Sequence, residues 1–298
     1  MDLQFLGTGG SQPIPLPTCD CDICAAAAER GAPYARRGYS LFLQDIDALI
    51  DAPEFAPGNL TRWGVESVEY LFLTHWHPDH TAGLRAATMQ QTDPGPDETA
   101  LDAKRRDART VVTTRAVYER TADIVGTLPF LVSEGFLDVH FLDEDPFEAN
   151  GIRVRAIPYA LDDGDGPPEA TAFVFEREGT SLAVVADDAR RFDESRLPSD
   201  LTAAVFESGH FTHGPDGERI RSPDFPGDDL AHEEVMERVR RVAPDRVFLS
   251  HLGHHYRRSH DDYQALAAEY EADESLGTAV RFPHDGQTVE IGGDGSGE

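Results

Sequence analysis

Thr74-His75-Trp76-His77-Pro78-Asp79-His80 follows an apolar run that begins at Val68, and this stretch decides how the chain is read. Three imidazoles and a carboxylate fall within six residues at the end of a predicted buried strand, Val68 to Thr74. With that spacing His75 and His77 can hold one divalent ion while Asp79 and His80 hold a second close by, the arrangement that activates water for hydrolysis. An isolated histidine is usually an ordinary polar residue. His-x-His-x-Asp-His is too crowded for that explanation.

Working outward, Leu3 to Leu6 alternates as a strand and runs into the turn Gly7-Thr8-Gly9-Gly10. Leu41 to Leu43 and Ala48 to Asp51 read as a hairpin pair, and Thr81 to Thr88 as a helix. The stretch from Gln91 to Arg109 has Pro, Gly and charge without periodicity and reads as a surface loop. The second half repeats the style. Strands are expected at Ile152 to Ile157, Thr171 to Phe175, Leu182 to Ala186 and Ala203 to Glu207, then a helix from Ala231 to Val242 and a strand from Arg246 to Ser250. Two of these strands deliver metal-type side chains, Asp187 and His251, just past their ends. Two strand sets, each with helices, predict two sheets packed face to face with helices outside, an α/β/β/α sandwich in one domain over residues 1–292, with a flexible tail at 293–298.

The chain of 298 residues is long enough for a sizeable core, and hydrophobic residues make up 40%, a globular level. It has no apolar run near membrane-spanning length and no charged-then-apolar leader, so a cytoplasmic location is expected. Fifty-five acidic residues against 26 basic ones give a formal net charge of -29, and Lys104 is the only lysine. The acidic residues are spread rather than blocked, which fits a halophilic protein whose self-repulsion is screened by concentrated salt better than it fits an acidic docking surface. This charge gives no help to nucleic-acid binding.

Cys19, Cys21 and Cys24 are the only cysteines. An odd set within six residues is no disulfide framework; Cys-x-Cys-x-x-Cys reads as three thiolates of a structural zinc site that needs a fourth donor.

Taken together, the histidine run, the later Asp187 and the later His251 resemble the metallo-β-lactamase superfamily across nearly the whole chain. Within it, Leu6-Gly-Thr-Gly-Gly-Ser11, the cysteine trio and Leu249-Ser-His251-Leu-Gly-His254 are similar to the phosphoribosyl 1,2-cyclic phosphate phosphodiesterases of phosphonate breakdown. The resemblance implies that His254 completes a Cys3His structural zinc. It also implies two active-site ions, zinc or manganese, with Asp187 bridging them. Asp79, His80 and His251 then serve one ion, and His75 and His77 the other. Asp51 is expected to orient a ligand imidazole from behind.

The chain departs from that pattern twice. The third histidine for the first ion should follow Pro158, where the chain has Tyr159-Ala-Leu-Asp-Asp-Gly-Asp165; Asp163, or failing it Asp162, could serve, or the stretch is only a solvated acidic turn. The substrate-contacting histidine of the family aligns with Asp229, so His232 is the expected catalytic substitute beside Asp79, with His210 and His213 as alternatives. The Gly7 to Gly10 loop could cradle a phosphate, and Arg36, Arg37, Arg257 and Arg258 are candidate anion contacts, each with scattered surface charge as the plainer reading.

The expected activity is hydrolysis of a phosphodiester in a small phosphorylated substrate, a cyclic phosphate on ribose, by in-line attack of hydroxide held between the ions. Three other readings stay open. They are a transfer-RNA 3′-processing type of nuclease, a thioester hydrolase, and a non-catalytic accessory protein similar to the pyrroloquinoline quinone biosynthesis member. A homodimer is also open.

Overall fold

Side chains along the strands alternate between two apolar layers. Leu3 and Phe5 point into one layer and Leu6 into another; Phe72 joins the first while Leu71 and Leu73 join the second. That period-two burial on both faces is what an inner strand of a layered sandwich requires. The computed structural model describes residues 1–161, 167–187, 189–220 and 230–292.

Fourteen strands form among the described residues: β1 (Asp2–Gly7), β2 (Ser40–Leu43), β3 (Ala48–Ile50), β4 (Tyr70–Phe72), β5 (Arg109–Thr113), β6 (Leu137–Phe141), β7 (Phe147–Ala149), β8 (Ile152–Tyr159), β9 (Ala170–Arg177), β10 (Thr180–Val185), β11 (Ala203–Glu207), β12 (Arg246–Ser250), β13 (Ala279–Arg281) and β14 (Thr288–Glu290). They make two seven-stranded sheets, in the orders β14-β1-β2-β3-β4-β5-β6 and β13-β12-β11-β10-β9-β8-β7. Each sheet is antiparallel on one side, β14-β1-β2-β3 in one and β7-β8-β9-β10 in the other, and parallel on the other side, β3 to β6 and β10 to β13. The second half therefore repeats the pairing pattern of the first.

Three apolar layers follow from this. The central one joins the sheets through Phe5, Phe72, Phe173, Phe175 and Phe248. Ring centroids lie 5.4 Å apart for Phe5 and Phe248 and 5.2 Å for Phe72 and Phe173. Each such ring contributes roughly 1.5–3 kcal/mol by burial, and each aromatic pair about 0.5–1.5 kcal/mol more. The outer layers hold the helices, among them Ala56–Arg62 and Arg115–Ile124 on the first sheet and His232–Val242 and His260–Glu271 on the second. The architecture is the expected α/β/β/α sandwich.

Two local expectations are corrected. Thr81 to Thr88 is not one helix: an α-turn at Pro78–Thr81 ends before Gly83, and a 3-10 turn spans Leu84–Thr88. Gly83 sits so close to Pro53 O that a side chain there would collide with it, and its N–H donates to Ala52 O. The chain is thereby pinned to the end of β3 instead of continuing as a helix. The stretch from Gln91 to Arg109 is not all loop, since Ala100–Arg106 forms a helix capped reciprocally by Thr99 and Asp102. It buries only Ala103, which is why no apolar periodicity announced it. The tail 293–298 lies outside the described residues. No helix among the described residues is long and apolar enough to cross a membrane.

Candidate metal centre

Five strands of the two sheets end at one edge, and the residues just past those ends meet. β3 delivers Asp51, β4 delivers Thr74 to His80, β10 delivers Asp187, β12 delivers His251, and β1 runs into Gly7 to Gly10. Pro78 opens the α-turn after His77, its missing N–H costing nothing at that position, and the turn swings Asp79 and His80 inward.

Two donor sets result. Asp79, His80, Asp187 and His251 form one, and His75, His77 and Asp187 the other, with Asp187 common to both. His251 Nε2 lies 3.3 Å from Asp79 Oδ2 and 3.4 Å from Asp187 Oδ2. His80 Nε2 lies 3.1 Å from Asp187 Oδ1 and 3.7 Å from Asp79 Oδ2, and His75 Nε2 lies 3.4 Å from Asp187 Oδ1. Two donors each about 2.1 Å from one ion at a tetrahedral angle are about 3.4 Å apart. These separations match the edges of such a coordination shell. His75 Nε2, His80 Nε2 and Asp187 Oδ1 are buried without a hydrogen-bond partner among the described residues, which is costly unless an ion satisfies them. The donor set and its orphaned atoms fit divalent cations.

The back of the centre fixes the tautomers. His80 Nδ1–H donates to Asp51 Oδ2 at 2.7 Å, and Thr74 Oγ1 donates to the same oxygen at 2.7 Å. His75 Nδ1–H then donates to Thr74 Oγ1 at 3.0 Å. Both imidazoles therefore turn their Nε2 atoms inward. Asp51 and His251 have left-handed backbones, φ 57° and φ 60°, a strained choice for His251 that aims its ring at the acidic pair.

Charge follows the same logic. Burial lowers the affinity of His80 for a proton, but Asp187, Asp51 and Asp79 overcome it and hold the ring protonated well above the usual histidine range. His251 is likewise depressed by burial and then carried up to about 9 by Asp187 and Asp79. His75 is held neutral by burial and by the charge on His80. Burial pushes Asp187 up, yet His80, His251 and His75 bring it well below the carboxylate range. The centre is built to hold a carboxylate pair against positive charge, which an ion supplies in place of protons.

A second cluster lies on the rim. Cys19, Cys21, Cys24 and His254 converge, with Cys19 Sγ and Cys21 Sγ each 3.5 Å from His254 Nε2. A zinc with S at about 2.3 Å and N at about 2.0 Å places those atoms about 3.5 Å apart. Burial raises Cys21, but hydrogen bonds from His254 and neighbouring groups bring it down to about 6, while burial pushes Cys24 up to about 12. Leu252 N–H donates to Thr8 O and His254 N–H to Gln12 O, so the cluster zips the N-terminal loop to the segment carrying His251. Gly10 lies under His251, and a Cβ there would sit 3.0 Å from its Nδ1.

Other expected residues fall elsewhere. His232 is not at the cluster: it is buried, its Nδ1–H donates to Ser208 O at 2.6 Å, its Nε2 accepts from Tyr270 Oη at 2.6 Å, and its ring stacks on Phe211. Neither nitrogen is left for a substrate, so the catalytic expectation for His232 gives way to a core role. The Gly7 to Gly10 loop spends its Thr8 N–H on Asp285 and its Gly9 N–H on Arg37 O, which corrects the phosphate-cradle reading. Arg36 is buried against Thr8 and Pro283 O, Arg37 meets Asn59, Arg257 pairs with Glu218, and Arg258 donates to His213 O. His210 stacks on His255. Asp162, Asp163 and Asp229 lie outside the described residues. Tyr39, fully buried, packs against His80 and His251 at 5.5 and 6.2 Å between centroids and belongs to no motif.

The profile of the metallo-β-lactamase superfamily matches residues 45–88. No curated protein matches the chain at a significant level. Among solved structures, a diphosphatase of the PhnP family is similar at 18% identity and TM-score 0.67, covering 97% of this chain and 96% of its own. Zinc-bound PqqB from Methylobacterium extorquens is similar at 17% identity and TM-score 0.67, covering 97% and 100%. Human tRNase Z, short form, follows at 14% identity and TM-score 0.55, covering 98% and 99%. Residues 45–88 thus match the metallo-β-lactamase superfamily profile, and the chain as a whole shares the fold of these solved structures.

Proposed function

We propose that this chain hydrolyses a phosphodiester, with a cyclic phosphate on ribose as its substrate class. The observation that carries the reading is the convergence of five donor residues on Asp187, whose Oδ1 lies between the inward-facing Nε2 atoms of His75 and His80. When bound there, a pair of divalent ions supplies water that is nucleophilic near neutral pH and takes up charge growing on phosphoryl oxygens. His75, His77 and Asp187 are the residues to hold one ion; Asp79, His80, Asp187 and His251 are the residues to hold the other.

The chain's own groups do the positioning. Asp51 and Thr74 keep the Nδ1 protons of His80 and His75 engaged at the back, so neither ring can turn over. Asp187 is held anionic by the imidazoles around it. Asp79 is the more exposed carboxylate of the pair, 17% against 8%, and is the group placed to take up or return a proton at the mouth of the site. The cysteine cluster with His254 is proposed to hold a structural zinc that fixes the loop under His251. The diphosphatase and the tRNase among the similar folds support hydrolysis at phosphorus.

A second reading has the likeness to PqqB behind it, equal in TM-score to that of the diphosphatase: a metal-holding accessory protein without turnover. One assay separates the two. Zinc- or manganese-loaded protein in concentrated salt is offered a chromogenic phosphodiester, ribosyl cyclic phosphates, precursor transfer RNA and a thioester. Turnover of the phosphodiester and the cyclic phosphates, lost in Asp187→Ala, is expected. Inertness toward all four with both ions bound favours the accessory role.

A further inference from the structure

Among the described residues the two donor sets are unequal in number. One set offers four side chains and the other three, His75, His77 and Asp187. His75 is fully buried, bonded through Nδ1, and pinned by a backbone bridge to Ala170. His77 is partly exposed and packs edge-on against His75 and against Trp76, with centroids 4.6 and 4.5 Å apart. Trp76 is thus one of the surfaces that place its ring.

Trp76 stands between the two ligand histidines, and what holds it comes from outside the motif. The Arg120 guanidinium lies over the indole, 4.9 Å from the ring centroid. Arg120 Nε is 3.3 Å from Glu169 Oε1. Glu169 immediately precedes Ala170, which pairs with His75, and Thr171 N–H donates to Thr74 O at 2.8 Å. Indole, guanidinium and carboxylate thus close a loop from the helix Arg115–Ile124 through the motif to β9 and back. A cation over an aromatic face and a charge-paired carboxylate each favour one orientation of the indole.

We propose that Arg120 is a positioning residue for the three-donor site, holding Trp76, and through it His77, in the geometry that binds the last ion to enter. This rests on the two-ion reading of the centre. Groups that orient metal ligands typically change affinity by about 10- to 100-fold when removed. Among the described residues Arg120 meets Trp76 and Glu169 and none of the donors, and because it acts through Trp76 on His77 its effect falls on the ion that His77 holds.

The test uses full-length protein in concentrated salt, with zinc alone as probe. Bound ions are counted by native mass spectrometry, and their affinities are ranked by competition with a chromophoric chelator. The chain has two tryptophans, so a Trp63→Phe background makes Trp76 emission a direct reporter. In Arg120→Ala the last-bound ion is expected to weaken about tenfold and the Trp76 emission change to shift to higher zinc. The more tightly held ions stay as in the parent, and Arg120→Lys restores part of the loss. Parent-like affinity for every ion in Arg120→Ala, or equal weakening of all of them, overturns the proposal. A His77→Ala variant guards the reading beneath it: if that variant binds as many ions as the parent, the three-donor site itself is wrong, whatever Arg120 does.

Discussion

Asp51 and His80 are both fully buried and share a hydrogen bond of 2.7 Å from Nδ1–H to Oδ2. Asp51 also accepts from Thr74 N–H at 2.9 Å and from Thr74 Oγ1 at 2.7 Å, so one carboxylate orients an imidazole and ties β3 to β4. In Asp51→Asn an amide N–H₂ must face at least one donor, the Thr74 N–H in one flip and Thr74 Oγ1 with His80 Nδ1 in the other. Metal affinity at the His80 site is expected to fall by about 10- to 100-fold. The metal-free protein should lose about 3–5 kcal/mol, the cost of stranding one half of a buried charged pair. Chelator competition and denaturant melts check the two halves separately.

The cysteine cluster predicts a subtraction. Cys21→Ser and His254→Ala should each lower zinc content by one ion per chain while the ions around Asp187 remain, and protease should then cut earlier in the loop before the helix Asp22–Arg30. Unchanged zinc content in both variants contradicts a structural zinc there.

His232 predicts stability effects and little else. Replacing it with Ala strands Ser208 O and Tyr270 Oη and removes the ring stacked on Phe211, at a cost of about 1–3 kcal/mol. KM should hardly move. Burial holds the folded-state pKa below the ordinary histidine value of about 6.5, with only partial relief from its bond to Ser208. The unfolded chain then takes up the proton first as pH falls below that value, so this residue makes folding less stable on acidification. His232→Gln should remove that part of the pH dependence of stability while the rest persists.

Legibility in the sequence follows how local each feature is. His75, His77, Asp79 and His80 sit in one run whose spacing pointed to metal by itself, while Asp187 and His251 each close an apolar strand and were singled out by the resemblance to the metallo-β-lactamase superfamily; the structure brings all six together. Tyr39 sits in no motif and reaches the centre only through the pairing of β2 with β3. Trp76, Arg120 and Glu169 meet across widely separated segments, a contact no local pattern encodes. The reading of His232 went astray because position along the chain suggested the site, whereas Phe211 and Tyr270 decide where the ring points. The helix Ala100–Arg106 escaped notice for the opposite reason, since it buries too little to leave a periodic trace.

The net charge of -29 predicts salt-dependent folding. Raising potassium chloride from about 0.1 M to about 2 M shortens the screening length severalfold and should raise the melting temperature by several degrees. A melting temperature that stays flat or falls over that range contradicts the halophilic reading.

The central claim is that the donors around Asp187 form a two-ion hydrolytic centre. Its most direct test is phosphodiester turnover measured against the number of zinc ions bound per chain, starting from protein that retains only the ion of the cysteine cluster. Turnover is predicted to be absent at that starting point, to rise only as the two further ions bind, and to vanish in Asp187→Ala. Full loading without turnover of any phosphodiester, or turnover already present before those ions bind, would contradict it.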